Sequence, residues 1–168
     1  MQGGFAAHRK ALQRMGLPSV EVRGAEQLEM LSGLVLPGGE STTMLKLLRR
    51  RGMLAALAAF AGRGRPVLAT CAGLVIAAHP EVGWLDVDVR RNAYGPQLAS
   101  FVDRSDDGVH ELVFIRAPKI ETVGAGVEVL ARHHGDPVLV RQGKVVAATF
   151  HPELTPSTAI HETLVACR

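Results

Sequence analysis

Apolar residues recur along this chain in two rhythms. Phe5, His8, Leu12 and Met15 fall at helical spacing, and Gly16 follows as a stop, so a helix is predicted there. VEVR (20–23) is short and β-rich, AEQLEML (25–31) reads as a short helix, and GLVLPGG (33–39) as a buried strand broken by Pro37 and two glycines. STTMLKLLRR (41–50) predicts a helix capped by Ser41 or Thr42, and LAALAAFAGRG (54–64) another. PVLAT (66–70) is a strand apolar along its length that passes straight into a helical segment, AGLVIAAH (72–79). Strands with no polar face, alternating with helices, predict a parallel sheet covered on both sides. The second half is richer in strands: LDVDV, LASFV, ELVFIRAP, VEVLARH, PVLVRQG and VVAATF, with a closing helix from about Ser157. No repeat, linker or low-complexity stretch interrupts this order, so residues 1–168 read as one α/β domain with a mixed or antiparallel patch in its second half.

The totals narrow the class. Hydrophobic residues are 47% of the 168 and charged residues 21%, a globular balance, and with only 4% aromatics the core must be mostly Leu, Val and Ala. The net charge is +3. Arg49, Arg50 and Arg51 end a predicted helix, where cations complement the dipole, and no aromatic platform accompanies them; this argues against nucleic acid as a partner. Cys71 and Cys167 are the only cysteines, which makes no disulfide framework and suits a reducing cytoplasm. No signal peptide or apolar run of membrane-spanning length is present, which argues against a membrane site. No HExxH or Cys/His ligand spacing occurs, so no metal is expected, and His133-His134 reads as a plain surface pair.

Five stretches could carry chemistry. In VLATCAGL, Cys71 would stand between the end of a parallel strand and the start of a helix, where the dipole stabilises a thiolate and small neighbours permit a nucleophile elbow. The Ala72 amide would then face a developing oxyanion. The alternative is an inert buried cysteine. In FHPEL, His151 and Glu153 lie two apart after a strand, so in an extended chain both project to one side, the carboxylate orienting the imidazole. The alternative is a solvated turn. LPGGEST (36–42) would present backbone amides to a carbonyl oxygen or an anion, or be a simple turn. VRRNAYG and FIRAP each set an arginine in or beside an apolar strand, needing either an internal carboxylate or the α-carboxylate of a bound amino acid.

Together, and in this order, TCAG, PGGEST, RRNAYG, FIRAP and FHPE resemble the glutaminase subunits of pyridoxal 5'-phosphate synthase, a branch of the class I (triad) glutamine amidotransferases. The resemblance runs along nearly the whole chain. It implies a flavodoxin-like three-layer α/β/α sandwich with a mostly parallel central sheet, no cofactor, and hydrolysis of L-glutamine to glutamate and ammonia. It implies Cys71 as the nucleophile forming a γ-glutamyl thioester, His151 as general base and acid, and Glu153 as its orienting carboxylate. Gly39, Glu40, Ser41, Arg91, Ile115 and Arg116 match glutamine-binding positions, Gly39 joins Ala72 at the oxyanion, and Gln2 matches a position near the synthase. The implied partner is a (β/α)8-barrel synthase subunit, in a large hetero-oligomer, that uses the ammonia to make pyridoxal 5'-phosphate. Such chains usually begin with an apolar strand ahead of the glutamine and glycine at positions 2 and 3. Here Met1 leads straight into Gln2, so that first strand is expected to be missing, with a gap in the core beside the site. The alternative readings are another cysteine hydrolase on the same fold, or a truncated, catalytically weak module that only binds the synthase.

Overall fold

A computed structural model describes residues 4–91, 93 and 100–166. Helix α1 (Phe5–Arg14) comes first, then a 3-10 helix (Ala25–Met30), strand β1 (Leu34–Leu36), helices α2 (Ser41–Arg50) and α3 (Met53–Gly62), strand β2 (Val67–Thr70) and the short helix α4 (Ala72–Ala77). The strand-rich half holds β3 (Val87–Arg90), β4 (Ser100–Arg104), β5 (Glu111–Ile115), β6 (Lys119–Val123), β7 (Glu128–His133), β8 (Asp136–Gln142) and β9 (Val145–Ala148). A 3-10 turn (Pro152–Leu154) and helix α5 (Ala159–Ala166) complete the described chain.

The central sheet has the order β1-β2-β9-β8-β7. β1, β2 and β9 run parallel, and β8 and β7 extend the sheet antiparallel. β3 pairs with β6 and β4 with β5 in two small antiparallel sheets. The apolar runs of β2 and β9 follow from their central place. Val67, Ala69, Val145 and Ala147 face a core built with α2, α3 and α4, while Leu68, Val146 and Ala148 face a second core with Phe114, Phe150 and α5. Alternate side chains of a strand point to opposite faces, so a strand between two cores is apolar at every position.

Several expectations need correction. VEVR forms no strand, because no neighbour pairs with it among the described residues. β6 went unread: its alternating KIETV follows Pro118 and pairs at the margin with β3. The cap of α2 is Glu40, whose carboxylate accepts the amides of Thr42 and Thr43 at 3.0 and 2.7 Å; Ser41 is already the first helical residue. Against the unpaired side of β1 lies a cavity of about 530 Å³, lined by Phe5, His8, Leu12, Val20, Leu34 and Leu36 among others. Among the described residues, no helix is long and apolar enough to cross a membrane.

Candidate active site

β2 ends at Thr70 and α4 starts at Ala72, so Cys71 is the whole connection. Its amide still pairs with the Ala148 carbonyl at 2.8 Å, while its φ of 49° and ψ of −109° turn the chain sharply out of the sheet. A non-glycine residue is seldom held in such a conformation, and it raises the Cys71 side chain above the carboxyl edge of the sheet. The space for this corner comes from Gly73: a Cβ there would stand 2.0 Å from the Leu36 carbonyl oxygen. α4 and the end of β1 thus touch backbone to backbone.

His151 follows β9 and is anchored by its amide to the Val113 carbonyl of β5 at 2.8 Å. Its Nδ1 lies 2.7 Å from Glu153 Oε1. The two residues do not meet across an extended chain. Pro152 opens a 3-10 turn, closed by the Leu154 amide on the His151 carbonyl at 3.2 Å, and the turn brings the carboxylate under the ring. Only 1% of the Glu153 side chain is exposed, against 12% for His151. Burial works against a charged imidazole, but hydrogen bonds from its neighbours Cys71 and Glu153, and their charges, outweigh it and hold the His151 pKa up to about 10. Burial also pushes Glu153 up, yet the His151 hydrogen bond, the neighbouring His8 and the charge of His151 leave it below its ordinary value. An imidazole held by a buried carboxylate beside a cysteine sulfur is the arrangement that activates a cysteine for attack on a carbonyl carbon.

The loop after β1 reaches this pair. Gly38 is buried, and a Cβ on it would lie 2.6 Å from His151 Cε1 and 3.4 Å from Cys71 Cβ. Gly39 and Glu40 are exposed and Ser41 is buried at the start of α2. The Glu40 side chain is committed to its cap, where the Thr43 side chain and amide and the Thr42 amide hold its pKa down to about 2. Arg91 donates to the Thr42 hydroxyl at 2.8 Å, which places its guanidinium at the mouth of the same loop. From the other side, the Ile115 carbonyl lies 3.9 Å from Cys71 Sγ, and Arg116 follows with a φ of 47°. Neither arginine is buried, so neither needs an internal carboxylate; both are free to meet one that arrives. Ala72 is buried at the first turn of α4. Gln2, Cys167 and part of RRNAYG lie outside the described residues.

Nothing local in the sequence marks His8 or His161. His8 falls on the apolar stripe of α1, where its helical spacing carries no sign of a polar partner. In the structure it is 2% exposed and 3.4 Å from Glu153 Oε2. The reading of His133 as surface is corrected too: its ring is 5% exposed, packed against Phe101 and Phe114, while His134 is open. Asp103, His133 and His134 bring three donor atoms within 4.8 Å of one another, the one such group among the described residues, and His133 Nε2 is already spent on Asp103 at 3.0 Å.

Comparison with known proteins follows the same lines. The model of the SNO glutamine amidotransferase family matches residues 1–167. The pyridoxal 5'-phosphate synthase subunit PdxT of Koribacter versatilis is 51% identical over 96% of this chain and 89% of its own length. The PdxT of Thermotoga neapolitana is 43% identical over 96% and 92%. A crystal structure of a glutamine amidotransferase superposes with a TM-score of 0.89 at 42% identity, over 99% of this chain and 94% of its own. A structure of PurLQS from Thermotoga maritima, at 18% identity and a TM-score of 0.70 over 96% and 91%, shares the fold alone.

Proposed function

The chain belongs to the SNO glutamine amidotransferase family, and from that premise we propose that it is the glutaminase subunit of a pyridoxal 5'-phosphate synthase, with Cys71, His151 and Glu153 as its triad. The relatives named PdxT, similar over nearly the full chain, support the reaction and the partner. One observation carries the site: a cysteine in a strained strand-to-helix corner, beside an imidazole that a buried glutamate holds at 2.7 Å.

The chemistry balances on these groups. Cys71 passes its thiol proton to His151, its sulfur attacks the side-chain carbonyl carbon of L-glutamine, and the oxygen takes the charge between the amides of the Gly39 loop and of Ala72. His151 delivers its proton to the departing nitrogen, ammonia leaves, and a γ-glutamyl thioester remains. Water then gives its proton to His151 and adds to the thioester, and collapse releases glutamate and restores the sulfur. Glu153 holds the ring through Nδ1 so that Nε2 faces the sulfur. Arg91, with Glu40 and Ser41, frames one end of the substrate, and Ile115 with Arg116 the other; an arginine fork suits an α-carboxylate. The synthase subunit receives the ammonia, is a (β/α)8 barrel, and docks near Gln2 in a large assembly in the cytoplasm.

Glutamate release from L-glutamine, with and without the synthase subunit, tests this in wild type and Cys71→Ala. Release that the synthase stimulates and Cys71→Ala abolishes is the expected result. A folded wild-type chain that binds the synthase and releases nothing would leave only a docking module.

A further inference from the structure

Behind His151 lies a buried polar cluster that the reaction above does not use. Glu153 Oε1 accepts the His151 N–H, but Oε2 has no hydrogen-bond partner among the described residues. Nε2 of His8, from α1, lies 3.4 Å from it. That same Nε2 is 3.1 Å from the hydroxyl of Thr70, the residue before Cys71. On its other side His8 Nδ1 meets Nε2 of His161, from α5, at 2.9 Å. His161 and Thr70 are 0% exposed, and His161 Nδ1 has no partner among the described residues.

The protons can be placed. A bare His8 Nε2 would turn a lone pair toward a carboxylate oxygen and leave Oε2 with no donor at all, which is costly for a buried charge. With the proton on Nε2, His8 offers it to Oε2 and Thr70 together. Its Nδ1 must then accept, so His161 donates from Nε2 and keeps its own Nδ1 bare. That fits the one atom of His161 without a partner, since an unpaired lone pair is less costly than a buried N–H with no acceptor. One arrangement gives every ring N–H an acceptor, and it aims a chain of N–H dipoles at Glu153.

We infer that His8, oriented by His161, is the positioning residue that supplies the second proton donor to Glu153 and thereby fixes the carboxylate that holds His151. This rests on the triad reading above. α1 and α5 are then more than cover for the sheet, because each sends one histidine to the back of the site. Burial keeps His8 neutral, with its pKa near 4, so it acts as a dipole and not as a charge. Other groups also face this carboxylate. His151 and the amide of Glu153 itself come from the 3-10 turn and its cap, and Thr70, from β2, acts through His8. Cys71 acts through His151, Arg14 through His161, and the backbone of Gly4 stands so close that a Cβ there would be 2.9 Å from Oε1.

The test uses the full chain assembled with its synthase subunit. kcat and KM for glutamine are measured from about pH 5 to about pH 9 for wild type, His8→Leu, His8→Gln and His161→Leu, with Cys71→Ala as the blank. His8→Leu is expected to lower kcat roughly 10- to 100-fold with KM little changed, and to move the acid limb to higher pH, because Glu153 without its second donor takes up a proton more readily. His161→Leu moves both in the same direction by less. His8→Gln, whose Nε2 donor reaches the same place, restores kcat to within a few-fold of wild type. The pH profile of Cys71 alkylation, read without glutamine, shifts in parallel. A folded His8→Leu with wild-type kcat and profiles overturns the inference, as does a His8→Gln that falls as far as His8→Leu. If His8→Leu does not fold, His161→Leu decides in the same way. A wild-type assembly that releases no glutamate counts against the glutaminase reading instead, and the alkylation profiles then decide the role of His8 alone.

Discussion

Replacing Gly38 with alanine puts one methyl group into the space between Cys71 and His151. The added Cβ would lie 2.6 Å from His151 Cε1, 3.2 Å from Nδ1 and 3.4 Å from Cys71 Cβ. Ordinary van der Waals contact begins near 3.4 Å, so the ring must retreat by 3.4 less 2.6, or 0.8 Å, while the Cys71 side chain need not move. The ring is tied in two places, by Nδ1 to Glu153 at 2.7 Å and by its own amide to Val113 at 2.8 Å. It can recede only by lengthening the first bond or by swinging away from the sulfur. Displacement of a reacting group by about 1 Å costs on the order of 100-fold in rate. Gly38 is not among the glycines with positive φ, so alanine adopts its backbone without strain and the fold survives. The assay is synthase-stimulated glutamate release at saturating glutamine, with far-UV circular dichroism and a thermal melt on the same sample. A kcat lowered about 100-fold in a folded protein is expected. Wild-type kcat with an unchanged melt would refute the reasoning, since it would mean that His151 has room that the structure denies it.

Other substitutions probe other parts. Gly73→Ala is expected to destabilise the fold by at least about 3 kcal/mol in urea titration, because its Cβ meets backbone at Leu36 and no side chain can yield. Arg91→Ala is expected to raise KM for glutamine about tenfold or more with kcat nearly kept, as loss of a carboxylate partner would do. Unfolded His8 titrates near 6.5 and folded His8 near 4, so between these values the unfolded state binds more protons and stability falls as pH drops through that window. His161, also lowered chiefly by burial, adds to the same slope, and the urea midpoints of His8→Phe and wild type should converge toward pH 4. His151 acts oppositely: with its folded pKa raised to about 10, its contribution is complete below 6.5 and is lost as pH rises through 10, a loss that His151→Gln should remove from the alkaline limb of the melt.

What the sequence made legible was whatever depends on near neighbours. The strands β2 and β9 show in an unbroken apolar run, because both their faces are buried. The elbow shows in TCAG, because a sharp corner needs small residues beside it. His151 and Glu153 were paired correctly for a geometric reason that proved different, a turn opened by Pro152 in place of extended chain. The cap of α2 was misplaced by one residue, since Ser and Thr are the usual caps and a glutamate reaching the same amides leaves no distinct pattern. The histidines behind Glu153 were hidden for a deeper reason. His8 and His161 stand 153 positions apart, and each occupies an otherwise apolar helix position. Only the tertiary fold reveals that two such positions face each other and a carboxylate.

The strained corner at Cys71 has a consequence for the history of such chains. Holding a side chain at a φ of 49° costs of the order of 1–3 kcal/mol, and glycine would occupy the corner without that cost. Selection for a firm fold and selection for a reactive sulfur therefore pull this position in opposite directions. A lineage that stopped needing the sulfur would lose nothing by letting glycine in, and would become more stable for it. Cysteine at this corner is thus a running record that the chemistry is still in use.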